Sequence, residues 1–100
     1  MAEVIRINEN IKDILLKHTQ KQTPEESLNE ILKNEINRKI KKYLLMVRHF
    51  ERKYNTDFDR FEAMNKDTRM DYETEKDYFN WDMAVTALED LHTELTQLQP

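Results

Sequence analysis

Hydrophobic and polar positions alternate differently in successive parts of this chain, and each change of period predicts a new element. Glu3-Val4-Ile5-Arg6-Ile7 alternates with a period of two, so it reads as a short strand with Ile5 and Ile7 on one face and Val4 and Arg6 on the other. The period then turns helical. Ile11, Ile14, Leu15 and His18 fall on one face behind Asn8, a good N-cap, which predicts a first helix to about Gln20. Thr23-Pro24-Glu25-Glu26 reads as a second start, with Thr23 as cap, Pro24 at the first helical position and Glu26 completing a capping box. Leu28, Ile31, Leu32, Ile36, Ile40, Tyr43, Leu44, Val47, Phe50 and Tyr54 continue along one stripe. No breaker intervenes before Asn55, so the second helix is expected to run for about thirty residues, well beyond the usual length. Lys39, Lys41, Lys42 and Arg48 cover the solvent side of its middle.

Asn55-Thr56-Asp57 is a stop followed by a new cap, with Asp59 in the reciprocal position, and Phe58, Phe61 and Met64 mark a short helix ending near Asn65. Residues 65–71 are polar and predict a loop. The last helix starts near Asp71 or Thr74. Its Trp81, Ala84, Leu88, Leu91, Leu95 and Leu98 are spaced by three and four, a seam expected to pack on the second helix.

Composition sharpens this picture. The chain has 100 residues, no glycine and two prolines, which argues for long helices joined by few turns. A lone five-residue strand leaves its backbone N–H and C=O groups unpaired, and no other segment reads as a strand. The economical partner is the same strand of a second copy, so a homodimer is expected. Cysteine is absent, which excludes disulfides and thiolate chemistry. No apolar run reaches the roughly 18 residues needed to span a bilayer, and no signal peptide opens the chain, so a soluble cytoplasmic protein with no membrane partner is expected. Charge is unevenly placed. Residues 1–50 carry ten Lys and Arg against seven Asp and Glu, whereas residues 51–100 carry six against thirteen. The first half is suited to a polyanion and the second to a basic surface.

The strand–helix–helix order of residues 3–40 resembles the ribbon–helix–helix fold, and the whole chain is similar to type II antitoxins that append a toxin-binding arm to such a dimer. The resemblance implies a mainly α protein: a short N-terminal strand plus two helices in a dimeric ribbon–helix–helix-like arrangement, a long second helix and a C-terminal helical arm. Residues 1–42 would form the dimerisation and DNA-binding region, and 43–100 the arm. It further implies that Val4 and Arg6 face operator DNA in the major groove, with Arg6 suited to guanine, while Ile5 and Ile7 join the core. The start of the second helix, at Thr23, Glu25 and Glu26, would hold a phosphate on its free N–H groups. The cognate toxin would be a basic protein such as a ribonuclease.

Within the arm, residues 71–82 interleave acidic and aromatic side chains. Tyr72, Tyr78, Phe79 and Trp81 are therefore candidate partner-binding residues, since aromatics anchor interfaces and acids beside them steer toward a basic partner. The competing reading is that Tyr78, Trp81 and Val85 share a helical face and fill a core with Phe58 and Phe61.

Catalytic chemistry is not expected. His18, His49 and His92 stand far apart without second ligands at useful spacing. Asp67, Asp71, Glu73, Glu75 and Asp77 lack the central glycine and terminal glutamate of a calcium loop. A phosphate-cradling loop needs glycines that the chain does not have. No catalytic residue, metal, cofactor or small-molecule substrate is called for. The alternative to an antitoxin is a non-enzymatic helical adaptor or structural subunit of a complex that does not bind DNA.

Overall fold

The computed structural model describes residues 7–98, which form α1 (Glu9–Thr19), α2 (Pro24–Tyr54), α3 (Phe58–Asn65) and α4 (Tyr72–Leu98). No strand occurs among them. The ribbon–helix–helix architecture is therefore corrected to an all-helical one. Positions 3–6 of the expected strand lie outside the described residues, and Ile7, its last position, is irregular chain leading into a helix cap. The physical reason is that each α-helix satisfies its own backbone groups internally. Val47, Phe50 and Tyr54 of the α2 stripe then pack on Trp81 of α4 within the chain, while Ile31 and Leu32 stay exposed.

The helix boundaries follow from local chemistry. Asn8 is extended (φ −68°, ψ 159°), and its Oδ1 accepts from the Ile11 N–H at 2.8 Å, starting α1. Gln20 ends it in the left-handed region (φ 57°), its N–H donating to the Leu16 carbonyl at 2.9 Å. Asn55 does the same after α2 (φ 53°), with the Thr56 N–H reaching the Glu51 carbonyl at 3.3 Å. In a chain without glycine, asparagine is well suited to that conformation because it tolerates positive φ. Asp57 caps α3 by accepting from the Arg60 N–H at 2.8 Å, and Asp71 caps α4 by accepting from the Thr74 N–H at 2.8 Å.

The chain divides into two compact units, Met1–Glu35 and Ile36–Pro100, with the division falling inside α2. In the first, α1 meets the beginning of α2 through hydroxyls. Ser27 is fully buried, and its Oγ lies 2.7 Å from the Thr19 Oγ1, which is also 2.6 Å from the Leu15 carbonyl. Ser27 Oγ also lies 3.1 Å from the Thr23 carbonyl, so the two hydroxyl protons are shared among three contacts that tie the end of α1 to the start of α2. No residue of α1 is buried.

The second unit holds an aromatic core. Trp81, fully buried, lies among Phe50, Tyr54, Phe58 and Phe61, with ring centroids between 5.0 and 6.0 Å. Val47, Tyr78 and Val85 close around it. The Trp81 indole Nε1 is buried without a hydrogen-bond partner, so this residue is held by ring packing. Contacts of Phe50 with Trp81 and of Tyr54 with Asp77 show that α2 and α4 run antiparallel here. Beyond this cluster Ile36, Ala84 and Leu91 are buried as well. The seam read from the sequence is thus the inner face of α4.

Candidate partner-binding surface

A charged group is set into the α2–α4 seam beside the Trp81 core. Asp77 is one turn before Trp81, on the same inner side, and its side chain is only 13% exposed. Its Oδ2 accepts from the Lys53 ammonium at 2.6 Å and from the Tyr54 hydroxyl at 2.5 Å. Lys53 also donates to Glu73 at 2.9 Å. Burial pushes the Asp77 carboxyl upward, but the hydrogen bonds from Lys53 and Tyr54 and the lysine charge outweigh it, so it sits below the ordinary carboxylate value. The same contacts, first with Asp77 and then with Glu73, hold the Lys53 ammonium well above its usual range. Burial, followed by the bond to Asp77, raises the Tyr54 phenol.

With Asp77 and Trp81 turned inward, the helical period sends Phe79 outward. Tyr72, Phe79 and Met83 lie seven and four residues apart on that outer face, exposed by 82, 59 and 44% respectively. Glu75, Asp82 and Asp90 are exposed on the same side, as is Lys76 between Tyr72 and Phe79. The result is an apolar stripe bordered by three carboxylates and one ammonium. A large aromatic exposed by more than half makes little contribution to the fold, and its apolar area stays available to a partner.

The four candidate partner residues therefore separate. Tyr72 and Phe79 share the outer stripe. Tyr78 points sideways: its hydroxyl donates to the Glu62 Oε2 at 2.6 Å, and its ring lies 5.7 Å from that of Phe58. The bond to Glu62, then burial, raises its phenol. Trp81 belongs to the core and is corrected from a binding residue to a packing residue, because Phe50, Phe58 and Phe61 enclose it. Read from the sequence, Met83 and Lys53 carry no role, Tyr54 stands only on the α2 stripe and Asp77 is weighed only as part of a calcium loop. A carboxylate four residues before Trp81, on the extension of an apolar seam, was the available signal for the last of these.

The DNA-facing candidates fare differently. Val4 and Arg6 lie outside the described residues. Thr23 does cap α2, its Oγ1 accepting from the Glu26 N–H at 3.2 Å, which occupies one of the N–H groups expected to hold a phosphate. The Glu26 carboxylate reaches back to the N–H of Gln22 at 3.4 Å rather than to that of Thr23, so the capping box is displaced by one residue. An open cleft of about 600 Å³ adjoins this helix start, lined by Ile7, Glu9, Lys12, Thr23, Pro24, Glu25 and Leu28. Its two glutamates disfavour an anion.

No protein-family model, curated protein or solved structure matches this chain. The functional reading rests on the surface itself. Among the described residues no group of three or more His, Asp and Glu is placed to hold a metal ion, and no helix is long and apolar enough to cross a membrane.

Proposed function

We propose that this protein is a non-enzymatic helical binding protein whose outer α4 face engages a basic partner protein. The observation that carries this reading is the exposure of Tyr72 and Phe79, 82 and 59%, beside a predominantly acidic border on a helix anchored from its other side by Trp81 and Asp77. Aromatic anchors held on a rigid element lose little freedom on binding, and surrounding carboxylates speed encounter with a positive surface. A basic toxin, as the antitoxin resemblance implies, is one partner of this chemistry, in the cytoplasm; an adaptor role in a larger complex uses the same face. The ribbon forms no part of the reading.

The test is site-specific photo-crosslinking in cells with a benzophenone amino acid at position 79, and at position 69 as control. The reading expects a basic protein captured at 79 and not at 69. Phe79→Ala should then weaken the purified complex by about 30-fold, the equivalent of a 2 kcal/mol anchor. Capture of an acidic protein, or a complex indifferent to Phe79→Ala, would refute it.

A further inference from the structure

The solvent side of α2, opposite the aromatic core, is strongly basic between Arg38 and Arg52. On a helical period, Lys41 and Arg48 form one flank of this face, Arg38 and Lys42 the other, and Leu45 and Arg52 the midline between them. All six are exposed. No acidic side chain points along this face between Arg38 and Arg52, and no ion pair takes up Lys41, Lys42, Arg48 or Arg52 among the described residues. The one lysine of this helix segment that is neutralised by the fold, Lys53, faces α4 instead. From Arg38 to Arg52 the face extends for about 21 Å at the helical rise.

We infer that this face docks along the phosphate backbone of double-stranded DNA. Charge complementarity is the first argument: over about 21 Å of duplex axis, phosphates recur about every 1.7 Å, so each of these cations meets an anion without bending of the helix. Shape is the second. A helix 10–12 Å across, with cations on both flanks and Leu45 and Arg52 along the midline, fits a major groove about 12 Å wide whose walls are the two phosphate strands.

Other polyanions fit less well. Single strands are held on rows of exposed aromatic rings, and between Arg38 and Arg52 this face offers one exposed imidazole, His49. A membrane surface helix inserts a continuous apolar side, but near its C-terminal end that side of α2 packs on Trp81 and Phe61, and on the charged face between Arg38 and Arg52 the exposed large apolar residue is Leu45, 62% exposed. The acidic face of a second copy is disfavoured because lysine is depleted from protein–protein interfaces, whereas DNA interfaces are strongly basic. The contacts are to phosphate, so binding is expected to be largely independent of sequence.

The experiment is fluorescence anisotropy of a mixed-sequence 20-base-pair duplex, titrated with the full chain at 50–200 mM NaCl. Four phosphate contacts predict a slope of about −3.6 in log K against log salt, or a loss of about 150-fold across that range. Replacing Lys41, Lys42, Arg48 and Arg52 together by glutamine should abolish the shift at 50 mM NaCl while helicity stays unchanged. The pair Lys66→Gln and Arg69→Gln, outside the face, should leave it within two-fold. Absence of a shift at 50 mM NaCl would overturn the inference, as would tighter binding to vesicles containing phosphatidylserine than to duplex. Salt-sensitive self-association that the quadruple variant loses, without duplex binding, would assign the face to a second copy and overturn it equally.

Discussion

Removing the Asp77 carboxylate tests whether the polar group in the seam holds α4 in place. Its side chain is 13% exposed, and one oxygen accepts from both Tyr54 and Lys53. Hydrogen bonds to a charged acceptor contribute about 1.5–3 kcal/mol each when little water competes. The Tyr54 bond meets that condition, whereas Lys53 is 35% exposed and its contribution is screened. A cycle of Asp77→Ala, Tyr54→Phe and the double variant should therefore return a coupling energy of about 2 kcal/mol. At roughly 4–8 °C per kcal/mol for a domain of this size, Asp77→Ala should lower Tm by about 10 °C. Unfolding can be followed by the fluorescence of Trp81, the single tryptophan. The pH dependence supplies a second readout. The folded carboxyl lies below its ordinary value of 3.8, so its contribution is complete above that value and is lost as pH falls through the lower, folded one. Asp77→Asn should flatten the loss of stability between about pH 5 and pH 2. A coupling energy under about 0.5 kcal/mol, with the acid limb unchanged in Asp77→Asn, would refute the argument that this carboxylate holds α4.

Three further outcomes are expected. Trp81→Ala should cost about 3–5 kcal/mol, whereas Phe79→Ala, two residues away, should change stability by less than about 0.5 kcal/mol, both read from urea midpoints. Gln20→Gly should stabilise the α1–α2 junction by about 0.5–1 kcal/mol, since relief of the left-handed strain exceeds the extra entropy of glycine; slower hydrogen exchange at the α1 amides would show it. The Tyr54 phenol is raised above its ordinary 10.0, so its contribution is present below that pH and is lost as pH rises through the folded value. Tyr54→Phe should accordingly reduce the steepness of alkaline unfolding and remove a late phase from the phenolate absorbance titration.

Much of this protein could be read from spacing alone. The stripe from Leu28 to Tyr54 and the absence of a breaker predicted one long helix, because periodicity over many turns is a strong signal. Asn8, Asn55 and the Thr23–Pro24 pair marked ends because capping is local chemistry. The a/d seam of α4 likewise marked its inner face, on which Ala84 and Leu91 are buried, but left Trp81 with two competing readings. Expectations that depended on partners distant in the chain did not follow. The Glu3–Ile7 alternation suggested a ribbon, yet a five-residue period carries little information against helices that satisfy their own backbone. Whether an aromatic in residues 71–82 faced a partner or the core was likewise undetermined by composition. That choice required the rotation of α4, which is anchored where Trp81 enters the core and Asp77 meets Lys53 and Tyr54 across more than twenty residues of sequence. Tertiary packing alone turned Trp81 inward and Phe79 outward, because only a fixed helix rotation can divide neighbouring side chains between core and surface.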